Sequence, residues 1–132
     1  MIKILTAIGN PKLNNELSKY SEFKILGKDI QYMDGIIELL ELNTDINYLI
    51  ISEILCGNYS LEELIEKIYK INRKIKIIII LENKNIELED KLLKFGVYDI
   101  LYDKSDINEI INLLKSKNIE YLNKELREEI DN

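Results

Sequence analysis

The chain has 132 residues, enough for one domain with one core that buries roughly 65–70% of its unfolded surface. Charged residues are 32% and hydrophobic residues 46%, and the net charge of −6 argues against nucleic acid or an anionic membrane as a main partner. There is no histidine, which removes the commonest acid/base at neutral pH, the usual zinc ligand and the Ser-His hydrolase arrangement.

No apolar run reaches the roughly 18–20 residues of a membrane span. The opening MIKILTAIGN is too short an apolar stretch for a signal peptide and reads as a first strand. Cys56 is the one cysteine, so no internal disulfide framework exists, and a cytoplasmic location is expected.

Strand-like and helix-like segments alternate along the chain. Ile2–Ala7 is a short apolar run closed by Gly9-Asn10-Pro11, and Pro11 suits the first turn of a helix because its missing N–H costs nothing there. Leu13, Leu17 and Tyr20 follow at helical spacing. Phe23–Leu26 reads as the second strand, and Ile30–Asn43 as a helix with a broad apolar face. Tyr48–Ile51 is the third strand, delivering Ser52 and Glu53 to its end. Ser60 with Glu63 forms a capping-box pattern ahead of Leu64, Ile65 and Ile68. Ile75–Leu81 is an unbroken aliphatic run, as expected for a strand covered on both faces. A helix over Ile86–Phe95 ends at Gly96, Val97–Tyr102 is the fifth strand, and Ser105 or Asp106 caps a helix carrying Ile107, Ile110, Ile111 and Leu114.

Five strands alternating with five helices predict an α/β protein with a parallel sheet. Right-handed crossovers and the short chain favour a flavodoxin-like α/β/α fold with strand order 2-1-3-4-5. Ligands of such folds bind at the carboxyl ends of the strands, where this chain places Ile8, Gly9, Ser52, Glu53, Leu81, Glu82 and Asp103. Residues 1–118 are the expected domain. Residues 119–132 form a charged amphipathic tail or onward linker, with Ile119, Leu122, Leu126 and Ile130 at helical spacing among acids and bases.

Over nearly its whole length the chain resembles the response-regulator receiver family. KILTAIGNP keeps an Asn-Pro after the first strand but puts Ile8 and Gly9 where the resemblance implies an acidic pair. YLIISEILCG puts Ser52 at the implied phosphoacceptor aspartate and keeps Gly57 in the loop. Leu81 stands where a Ser or Thr is implied. GVYDILYDKS places Asp103 at the implied lysine, and a one-residue slip restores Lys104 to that role.

Receiver chemistry needs carboxylates for a hard Mg²⁺, a carboxylate nucleophile and a cation for the transferring phosphoryl group. These residues do not supply that set. The expectation is therefore a pseudo-receiver: not an enzyme, with no metal and no cofactor, acting through a protein partner or a second copy. The resemblance extends to atypical receivers that precede MinD/ParA-like P-loop ATPases, where it implies localisation or dimerisation. It also implies self-association through the fourth-helix, fifth-strand and fifth-helix face. Tyr98, Tyr102, Ile107 and Ile111 are candidate contacts there, and Ile119, Leu122 and Leu126 are candidates on the tail. Two alternatives stand beside this reading: a phosphorylatable receiver with an unusual acceptor, and a small-ligand sensor at the sheet rim. Cys56 is read as a half-buried loop residue, Glu53 as a solvated acid, and Asp103-Lys104 as an internal ion pair or a partner contact.

Overall fold

The structure is a computed structural model, and it describes residues 1–117. Five strands form one parallel sheet: β1 (Ile2–Ala7), β2 (Phe23–Ile25), β3 (Tyr48–Ser52), β4 (Lys76–Ile80) and β5 (Asp99–Leu101), in the order 2-1-3-4-5. The connecting helices are α1 (Lys12–Leu17), α2 (Met33–Leu42), α3 (Leu61–Ile71) and α4 (Ile86–Lys94), and a further helix, α5, covers residues 107–117. The flavodoxin-like expectation holds, including the strand order.

The sheet is buried on both sides because its central strands β3 and β4 carry runs of consecutive apolar residues, Tyr48–Ile51 and Ile77–Ile80, rather than alternating ones. In β4, Ile77 and Ile79 face one core while Ile78 and Ile80 face the other. In β3, Leu49 and Ile51 face the first core, and Tyr48 and Ile50 the second. The first core is closed by α2, α3 and α4 through Ile36, Leu40, Leu64, Ile65, Ile68 and Leu92. The second is closed by α1 and α5 through Leu13, Leu17, Ile110, Ile111 and Leu114. Each fully buried isoleucine contributes on the order of 1.5–3 kcal/mol over leaving it exposed.

Helix starts follow the capping residues. Ser60 Oγ accepts from Glu63 N at 3.1 Å, and Glu62 and Glu63 in the first turn with Lys70 in the last suit the helix dipole of α3. The Glu63 carboxylate is turned to the Ser60 hydroxyl, 3.2 Å away. Asp106, rather than Ser105, caps α5, its Oδ1 accepting from Glu109 N at 3.1 Å.

Helix α2 and strand β5 start two or more residues later than their sequence pattern suggests. Helix α2 begins at Met33 rather than Ile30, because Ile30 N donates to Thr6 O and Tyr32 forms a bridge with Cys56. Strand β5 begins at Asp99 rather than Val97, because Val97 N closes the end of α4 by donating to Leu92 O at 2.9 Å.

Candidate functional site at the carboxyl rim of the sheet

The ends of β1, β3, β4 and β5 converge on one rim. Ile8 is fully buried and belongs to the core on the α1/α5 side. Gly9 follows at φ +75°, a left-handed turn that a side chain would strain. The turn is held from across the rim by Asp29, in the loop after β2. Ile8 N donates to Asp29 Oδ1 at 3.0 Å and Gly9 N to Oδ2 at 2.9 Å. A carboxylate is therefore present near the positions that lack acids, with each oxygen already accepting a backbone N–H. Nothing in the local sequence pairs Asp29 with Ile8 and Gly9, which lie about twenty residues away.

At the end of β3, Ser52 is buried at 3% exposure. Its hydroxyl accepts from Ile54 N at 3.4 Å. A serine needs a base to become nucleophilic, and that backbone N–H offers none. Glu53 is half-buried rather than free in solvent, since its Oε1 accepts from Glu82 N at 2.5 Å and so bridges the ends of β3 and β4. Leu81 is buried in the core on the α2–α4 side.

The loop after β5 corrects one sequence assignment. Asp103 does not reach across the rim. Its Oδ1 accepts from Ser105 N at 2.8 Å and from Ser105 Oγ at 2.5 Å, and these bonds hold its carboxyl below the ordinary value of 3.8. Lys104 takes the rim position instead: its Nζ lies 4.0 Å from where a Cβ on Gly9 would sit. Asn10 Nδ2 fixes this loop by donating to Lys104 O at 3.1 Å. Asp103 is thus turned to Ser105 and Lys104 towards Gly9, and the two do not form an ion pair.

Chemically, the rim presents the Lys104 ammonium, the buried Ser52 hydroxyl, the Asp29, Glu53 and Asp103 carboxylates engaged by local donors, and the exposed Glu82 carboxylate. Among the described residues no three acid, cysteine or histidine side chains converge to hold a metal ion. Mg²⁺ as receivers use it does not fit here, because Ile8 and Gly9 supply no oxygen ligand and Asp29 and Glu53 are engaged.

The candidate contact residues fall into different environments. Tyr98 is 72% exposed. Tyr102 is half-buried against the α2–α4 core, with Lys84 over its ring at 5.4 Å and a buried hydroxyl that has no hydrogen-bond partner among the described residues. Ile107 is half-buried against the other core. Ile111 is corrected outright: at 4% exposure it is a core residue facing the sheet and offers no surface. Ile119, Leu122 and Leu126 lie outside the described residues. Cys56 is exposed rather than half-buried. Two residues absent from the sequence-based set share the outer face of α4: Ile86, 65% exposed, and Leu93, 45% exposed. Their seven-residue spacing puts both on one helical stripe, a signal that was available in the sequence.

No protein-family model matches the chain. No curated protein matches it either. Solved structures do. A structure of the RcsB response regulator from Salmonella typhimurium is 16% identical, with a TM-score of 0.78 over 89% of this chain and 62% of that one. The chain thus spans less than two thirds of that relative. A CheY-like receiver domain from Methanospirillum hungatei JF-1 is 16% identical with a TM-score of 0.69, covering 94% of this chain and 98% of that one. A CpaE2 pilus assembly protein from Sinorhizobium meliloti 1021 is 15% identical with a TM-score of 0.64, covering 86% and 98%. At these identities the likeness establishes architecture, and the chain has the fold of response-regulator receiver domains.

Proposed function

We propose that this chain is a pseudo-receiver: a non-catalytic signalling domain that acts by protein–protein contact, chiefly self-association through the α4–β5 face. The observation that carries the reading is the exposure of Ile86 and Leu93, seven residues apart on α4, together with that of Tyr98 just ahead of β5. Exposed apolar residues scattered singly are ordinary, but two on one helical stripe with an exposed tyrosine at the start of the next strand suit a partner surface. The rim supports the same reading from the other side, because the Asp29 and Glu53 carboxylates accept from backbone N–H groups and Ser52 lacks a base. The likeness to a pilus assembly protein is consistent with a place ahead of a MinD/ParA-like ATPase in a larger bacterial protein, with cytoplasmic work and a homodimer as its form.

The test is sedimentation of the wild-type chain against Leu93→Asp and Tyr98→Asp. Neither side chain belongs to a core cluster, Leu93 being 45% and Tyr98 72% exposed, so the variants keep their fold. The wild type is expected to sediment as a concentration-dependent dimer and each variant to shift towards monomer. A dimer that both variants leave unchanged contradicts the proposed face.

A further inference from the structure

At the opposite end of the sheet from the rim, a groove of about 600 Å³ lies between α3 and α4. Its floor is apolar and aromatic: Tyr69, Ile75 and Phe95. Its edge carries Lys70 and Arg73, both exposed, and neither forms a salt bridge with another described residue. Glu66 is the single acid of the lining.

The chain itself supplies a complementary segment. Residues 119–132 carry five carboxylates against two cations, net −3, with Ile119, Leu122, Leu126 and Ile130 spaced three or four apart. The approach to that segment is fixed close by, since Lys117 Nζ pairs with Asp99 Oδ1 at 3.5 Å and Asp99 stands three residues after Gly96 on the groove wall. Three residues span at most about 10 Å, whereas fourteen span about 21 Å even if fully helical, so reach is sufficient. We propose that segment 119–132 docks in the groove of its own chain, its aliphatic residues on the aromatic floor and its carboxylates towards Lys70 and Arg73. This goes beyond the α4–β5 reading and does not depend on it.

The test uses the full chain with Cys56→Ser and a nitroxide on Asn123→Cys. The amide signals of Phe95 and Gly96 are expected to lose intensity several-fold, and to recover in the same labelled chain carrying Lys70→Glu and Arg73→Glu. Raising the salt concentration is expected to give the same recovery without those substitutions. Equal broadening with and without the charge reversals, and at low and high salt, overturns the proposal. So does broadening that persists when isotope and nitroxide are on separate chains in a mixture, because the contact is then between copies.

Discussion

Gly57 shows how one residue ties the rim together. A Cβ there would stand 2.5–2.6 Å from the Met33 side chain, which is buried at the start of α2. Gly57→Ala is therefore expected to destabilise the fold by about 1–3 kcal/mol, the usual cost of overpacking. Urea denaturation measures this, and a smaller side chain at Met33 should recover part of the loss. Tyr69 gives a pH-dependent counterpart. Burial, and then the neighbouring Tyr98, push its phenol above the ordinary 10.0. The folded state holds that proton more tightly than the unfolded chain, so the stability present below about pH 10 is lost as pH rises through the raised folded value. Tyr69→Phe should flatten that alkaline decline in a denaturation series, whereas an unchanged slope assigns it to other groups. Single residues at the rim were the hardest to read from sequence. Asp29 serves Ile8 and Gly9 across the chain fold, and Lys104 replaces Asp103 through a one-residue shift that strand periodicity does not encode.

At the scale of elements, sequence and structure agree where hydrophobic pattern and capping decide the outcome. The all-aliphatic β4 and the Ser60 cap of α3 are examples. Ser60→Ala should cost about 1 kcal/mol, read as a lowered denaturation midpoint, since it leaves the Glu63 N–H without its side-chain acceptor. Agreement fails where backbone bonds from another element take over the chain, as at residues 30–32 before α2 and at Val97 before β5. Helix α4 shows a different limit. Its apolar residues occupy both an inner stripe with Leu92 and an outer one with Ile86 and Leu93, and hydrophobicity alone does not tell core from contact surface.

For the whole molecule, two cores around one parallel sheet were legible, because the central strands are runs of consecutive apolar residues and the linking helices are short and amphipathic. Within the described residues no helix is long and apolar enough to cross a membrane. The chain has the fold of receiver domains, and at its rim Ile8 and Leu81 extend the cores to the strand ends while Asp29 and Asp103 brace loops and Glu53 links β3 to the chain after β4. The central claim is that this rim does not carry out phosphoryl transfer. Intact-mass measurement after incubation with acetyl phosphate and Mg²⁺ tests it most directly. The account predicts an unchanged mass, and addition of one phosphoryl group at Ser52 or Glu53 would contradict it.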